Sequence, residues 1–288
     1  MSQGTDTRGE RAPPGFWRRL LRSPSGAVGL FIVLGLVFCA AFADVLAPHS
    51  PTKMGTGGRF LPPGGDFLLG TDEFGRDMLS RILHGSRITL LVGAVAVGIS
   101  LTAGMFVGMI AAFRRGWVET LLMRGNDVLF SFTETLIALS FVAVLGPSLK
   151  NAVIAVGVAG IPFYARTCYA AALVETSKPS FEASIAAGAG PARLVFLHLL
   201  PNVLPTMIVV ATLGVSTAIL AAAGLSFLGL GAQPPTSEWG YMLAGSRDYI
   251  NRASWLMTIP GLAIAITVLG FNLFGDGLRT SLDPVERR

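Results

Sequence analysis

Two ionisable residues, Glu134 and Arg166, stand inside long apolar runs of this chain, and theirs is the first chemistry to explain. A lone charge at bilayer depth costs several kcal/mol unless it is neutralised, paired or wetted. Eight residues from Asn126, at about 1.5 Å each, put Glu134 about 12 Å along one helix. Arg166, about six residues from Ala172, lies roughly 9 Å along the next. The two would reach similar depth on consecutive helices. Three readings stay open. In the first, the two are mutual counter-ions lining the inner part of a pathway. Alternatively, Glu134 receives a cationic group of a substrate. In the third, Glu134 is protonated or meets a watery cavity while Arg166 snorkels to the headgroups.

Bond-making chemistry has no comparable support. None of Lys53, Lys150 and Lys178 follows a glycine, so the phosphate loop G-x-x-x-x-G-K-[ST] is absent. The chain is expected to be no enzyme, and to bind neither ATP nor another cofactor itself. His49, His84 and His198 are scattered, and Cys39 and Cys168 lie in apolar segments, which gives no metal or disulfide framework. The net charge of +5 fits the excess of cytoplasmic Lys and Arg in bacterial membrane proteins. No basic run is interleaved with aromatics, so lipid is an expected partner and nucleic acid is not.

The elements that must position these residues are transmembrane helices. Apolar residues make up 52% and charged residues 14% of the chain, against about a quarter charged in a soluble domain. Apolar runs of spanning length fall near residues 26–43, 88–112, 127–146, 151–172, 203–230 and 256–276. The expected fold is all-α with six crossings. A cytoplasmic segment 1–25 would precede a first helix and extracytoplasmic loop (26–86), a five-helix core (87–280) and a cytoplasmic tail (281–288). Within 47–86, Met78, Leu79, Ile82 and Leu83 suggest a short interfacial helix capped by Asp77. Ala96, Ser100, Gly104 and Gly108 form a ladder of small residues four apart, which lets helix backbones approach closely in lipid.

Charge asymmetry orients the chain. Arg8, Arg11, Arg18, Arg19 and Arg22 precede the first run, and Arg114 and Arg115 follow the second. Thirteen Lys and Arg fall in the proposed inner segments and eight in the outer ones, placing both termini in the cytoplasm.

The loop 173–202 holds the most informative stretch, FEASIAAGAGPARLVFLHLLPNVLP at 181–205. Its pattern predicts one short helix to Ala187, a break at Gly188–Gly190, and a second helix from Pro191 to Pro201. Such a helix–Gly–helix could enter a groove on a partner and pass force as a rigid rod.

This stretch resembles the coupling loop of type I ABC-importer permeases. Glu182, Ala183, Gly188, Leu200 and Pro201 match at the family's spacings, and His198 resembles the dipeptide/oligopeptide/nickel branch. LGTDEFGRDMLSRILHGSRITL (69–90), YAR (164–166), GLSFLGLGAQPPTSEWGYML (224–243) and FNLFGDGLRTSLDP (271–284) resemble that branch in order and spacing. Two departures stand out. Phe132-Thr133-Glu134 replaces the family's Phe-Pro, and Tyr169 stands where a second Arg often follows YAR.

The resemblance implies a bacterial inner-membrane permease paired with a homologous permease. It also implies two cytoplasmic subunits that use ATP and Mg2+, and an extracytoplasmic substrate-binding protein. Di- or oligopeptides are the expected cargo, with nickel chelates, glutathione or opines as alternatives and an ion-coupled secondary transporter as a distant one. Asp72, Arg76 and Asp77 either help dock the binding protein or cap and orient the helix that follows. The topology predicts that a cysteine replacing Lys53 reacts with an impermeant thiol reagent in intact cells and that one replacing Thr280 does not. Labelling of Thr280→Cys would invert the orientation.

Overall fold

The structure, a computed structural model, describes residues 16–282, and side chains from Arg19 onward. Arg8, Arg11, Arg287 and Arg288 of the charge argument lie outside the described residues. The helices are α1 (Phe16–Arg22), α2 (Pro24–Ala41), α3 (Ala43–Leu46), α4 (Met78–Phe113), α5 (Trp117–Phe130) and α6 (Glu134–Leu145). They continue with α7 (Leu149–Thr176), α8 (Pro179–Ala186), α9 (Pro191–Arg193), α10 (Leu200–Phe227), α11 (Trp239–Gly245) and α12 (Trp255–Leu282). A π-helical segment, Leu194–Leu199, joins α9 to α10.

Close backbone approach sets the packing. A Cβ at Gly104 would stand 2.5 Å from Tyr164 Cβ, and one at Gly108 2.5 Å from the Ala165 carbonyl. Ser100 donates to the Gly157 carbonyl at 2.6 Å. The small-residue ladder of α4 therefore lies against α7, and the residues match in the same chain direction, so the two helices run parallel. By contrast, α2 is antiparallel to α12, with Gly26 against Gly277 and Gly29 against Phe274. Ser216 of α10 bonds Asn272 of α12 at 2.8 Å, and Gly275 faces Leu213, another antiparallel pair.

Five helices are long and apolar enough to cross a membrane, and α5 with α6, bent by 87°, supplies a sixth crossing. The parallel α4–α7 pair requires it, because the chain must return across the bilayer between them. The expected straight span over 127–146 is thus a broken one. Depth counted along a single helix from Asn126 does not apply to Glu134, which opens α6 instead.

Two further expectations change. The interfacial helix at 77–84 is no separate element: Asp77 caps the 36-residue α4, accepting from Ser80 N at 2.9 Å. The proposed boundary at residue 86 falls inside this helix. Gly85 stays helical and admits a close neighbour, since a Cβ there would stand 2.4 Å from the Ser237 carbonyl. Arg87 ties α4 to the first span by donating to the carbonyls of Ala40 and, at 2.9 Å, Ala41. It also pairs with Asp44 at 2.8 Å, and bonds from Arg87 and His84 hold the Asp44 carboxyl below the usual range.

The first turns of α4 rise into a cap formed by residues 47–77 and the α11 region. Asp72 is the cap's hub. Its Oδ1 accepts from Phe74 N and Arg76 N, each at 2.9 Å, while Oδ2 meets Arg76 Nε at 2.6 Å and Arg81 Nη1. Gly75, at φ +69°, makes the turn that lets one carboxylate reach both amides. Burial raises the Glu73 carboxyl alongside. Trp255 closes the cap, donating to the Thr71 carbonyl at 3.3 Å, and Trp239 donates to Ile82 at 3.2 Å.

Asp72, Arg76 and Arg81 are each no more than 3% exposed. Removing one partner of such a buried set costs about 3–5 kcal/mol. Asp72→Asn is expected to make residues 47–77 protease-sensitive and lower the Tm in detergent, while exposed Lys53→Gln leaves both unchanged. Equal resistance in the two variants would remove Asp72 from this role.

Candidate functional site

One face of α7 borders a row of open grooves, with Phe163, Arg166, Ala170 and Val174 exposed along it. Ala159, Pro162, Phe163, Arg166, Ala170 and Val174 follow helical spacing and line three open grooves in succession. From Ala159 to Glu175 this strip of α7 runs about 24 Å along the helix. The first groove, about 290 Å³, holds Glu134. The second, about 500 Å³, holds Glu119, Arg124, Asp127 and Arg166. The third, about 620 Å³, lies between α7 and α10, where Arg166, Glu175, Asn202 and Thr206 meet.

The break between α5 and α6 opens the upper groove. Helix α5 ends at Phe130 and α6 begins at Glu134, with Thr133 extended at ψ 135°. Asn126 Nδ2 holds the lower limb by donating to the Pro162 carbonyl at 3.2 Å. Proline within α7 cannot donate its own amide, which loosens the backbone at this point.

Mutual pairing of Glu134 and Arg166, one of the three open readings, is not the arrangement found. Arg166 Nη2 lies 3.8 Å from Asp127 Oδ1, and its guanidinium sits 5.3 Å from the Phe130 ring centre. Asp127 went unnoticed in the sequence because a straight helix would place it at the membrane edge. Once the helix bends, α5 lies beside Arg166. Tyr169, where the family pattern often has Arg, donates instead to Glu119 of α5. Glu134 has no hydrogen bond or ion pair among the described residues.

At the other end of the strip lies the loop 173–202. Lys178 precedes Pro179 at N1 of α8 and pairs with Glu175 at 2.6 Å. Phe181 is buried and turns Glu182, Ala183 and Ile185 outward. Gly188, at φ +79°, ends the helix in the left-handed region and has open space around it. The expected second helix does not stop at Pro201: α9, the π turn and α10 run on continuously to Phe227. The wider π turn accommodates Pro201, whose ring would clash with the carbonyl four residues back in a regular helix. His198 and Leu200 are half-buried and Pro201 is exposed, so the anchor here is Leu199, at 0% exposure.

Asp72, Arg76 and Asp77, considered for docking, are buried in the cap. Their side chains shape the loop from within rather than presenting a surface.

The family model for the binding-protein-dependent transport system inner membrane component matches residues 104–288. The chain belongs to this family. The N-terminal TM domain of oligopeptide transport permease C also matches, at residues 15–63. The di/tripeptide transport system permease protein DppC of Pseudomonas aeruginosa is 47% identical, over 93% of this chain and 91% of the relative. The dipeptide transport system permease protein DppC of Escherichia coli K12 is 44% identical over 99% of each. Among solved structures, a chain of the inward-facing MetNI methionine ABC transporter matches with TM-score 0.60 and 22% identity, covering 72% of this chain and 98% of that one. The protein is therefore a multi-pass inner-membrane permease subunit of the type I ABC-importer fold, which removes the secondary-transporter alternative.

The exposed Arg166–Asp127 pair at 3.8 Å contributes at most about 1 kcal/mol to stability. Arg166→Gln should accordingly leave the permease's level and Tm unchanged while reducing uptake. A large loss of Tm with normal specific uptake would make this arginine structural.

Proposed function

We propose that this permease forms half of the translocation pathway of an ATP-driven importer for short peptides, di- and tripeptides above all. The carrying observation is the row of grooves beside α7, into which α5 and α6 bring Arg124, Asp127 and Glu134 and α7 brings Arg166: exposed ionisable side chains cannot face hydrocarbon without large cost. A homologous permease facing the strip would close the grooves into a path. The substrate class is supported by the names of the Pseudomonas and Escherichia relatives.

Two cytoplasmic ATP-binding subunits, using ATP and Mg2+, would engage α8, and an extracytoplasmic binding protein would dock on the cap. This chain would bind no nucleotide and make no bonds. Leu20 of α1 packs against Leu278 of α12, so both described ends lie on one face. The N-terminal arginines support the cytoplasm as that side. In this reading, ATP binding closes the ATPases, moves α8 and opens the path outward, and hydrolysis resets it.

The coupling assignment is tested by Gly188→Arg and Glu182→Lys in the complete transporter. Both change exposed positions, so insertion and assembly should persist. Uptake of dialanine and its stimulation of ATP hydrolysis should fall by more than about tenfold, the scale of an ordinary coupling energy. Normal coupled uptake in both variants would reject the assignment.

A further inference from the structure

The inference rests on the peptide-import reading and gives a role to Glu134, which lies in one of the two stretches where this chain departs from the resembled pattern. We propose that Glu134 is the counter-ion for the α-ammonium group of the peptide in transit, and so a specificity-determining residue of the pathway.

Three observations meet at this carboxylate. It is exposed in a groove whose other walls are largely apolar, among them Leu129, Phe130, Ile137 and Phe163. It is folded over α7, not turned away from the strip: Oε1 would lie 3.7 Å from a Cβ on Gly160. It also lacks any hydrogen-bond or ionic partner among the described residues. The other acids lining the strip are served. Asp127 has Arg166, Glu119 has Tyr169 and the Gly116 amide, and Glu175 has Lys178. Glu134 also stands at the first position of α6, where the helix dipole favours an anion.

An anion held in this way attracts a small cation with hydrogen-bond donors. A short peptide brings one such group on every molecule, whatever its side chains. The α-ammonium, with three N–H donors, fits an open carboxylate, while the apolar walls accept varied side chains without reading them. Down the strip, Arg166 is held only loosely by Asp127, across 3.8 Å, and can exchange that contact for the peptide carboxylate. The path thus presents an anionic station followed by a cationic one, in an order that suits a zwitterion and penalises a solute lacking the amine.

The test uses the complete transporter in proteoliposomes with its binding protein in excess. Uptake of dialanine and of propionyl-alanine, which keeps the carboxylate but lacks the ammonium, is compared between wild type and variant, so that selection by the binding protein cancels. Glu134→Gln should slow dialanine about tenfold, as loss of a charge-assisted hydrogen bond does, and propionyl-alanine less than twofold. Glu134→Asp should retain most dialanine uptake. Equal slowing of the two solutes, or of neither, overturns the proposal, as does loss of the second permease from the Glu134→Gln complex.

A second measurement does not depend on uptake. With Cys39 and Cys168 replaced by Ser, Thr133→Cys should react faster with a cationic than with an anionic methanethiosulfonate reagent of similar size. Adding Glu134→Gln should remove that preference, and an unchanged preference overturns the proposal. If the wild-type transporter moves another solute but no peptide, the peptide reading fails, while the thiol measurement still reports on the cation site.

Discussion

In hydrocarbon, apolar side chains gain nothing by leaving the solvent, so two helices hold together through close atomic contact and shared hydrogen bonds. The α4–α7 pair meets this constraint with backbones pressed together at Gly104 and Gly108 and the Ser100–Gly157 bond between them. Its direction matters as much as its closeness. Because the helices are parallel, the 35 residues between Phe113 and Leu149 must carry the chain back across the bilayer. That return crossing is the broken α5–α6 pair, and the groove beside it exists because the crossing bends instead of packing along α7 throughout.

The bend also explains how the chain tolerates so many charges at this depth. On a straight helix, Asp127 and Glu134, seven residues apart, would share one face about two turns apart. With an 87° turn between them, both line one strip of α7, together with Arg166 and Glu119. Exposure here marks a surface that meets water or protein and not lipid. The cap works in the opposite way. There Asp72, Arg76 and Arg81 are buried, and their mutual bonds fix the shape of a loop with little regular structure.

Much of this was legible from local rules. The small-residue ladder announced the α4 face that meets α7, Asp77 announced the start of α4, and Gly188 announced the end of α8. Each depends on a few neighbours in sequence. The break at Ser131–Thr133 was not legible, because Thr133 stands where the resembled pattern has Pro and the polar residues Ser131, Thr133, Glu134 and Thr135 sit between apolar runs that together have the length of one span. Missing the break meant misplacing Glu134 and overlooking Asp127 as the partner of Arg166. Pro201 misled in the other direction. A proline after an apolar run reads as a stop, but a π turn just before it widens the helix enough to continue.

That continuity gives the coupling proposal a mechanical basis. From Pro191 to Phe227 the chain is one rod, and Leu199, Val203 and Met207, all at most 1% exposed, pin one side of its N-terminal half to the core. Beside this row stand Asn202 and Thr206, which line the groove facing Arg166. A push on α8 from a partner would reach this rod through the short Ala187–Gly190 link. A rod pinned along one side cannot simply translate; it rolls or tilts about the pinned row. Motion of that kind moves Asn202 and Thr206 relative to α7 and so changes the width of the groove. The π turn lies at the junction, where Pro201 has already removed one backbone hydrogen bond, so the deformation falls where the helix has least to lose.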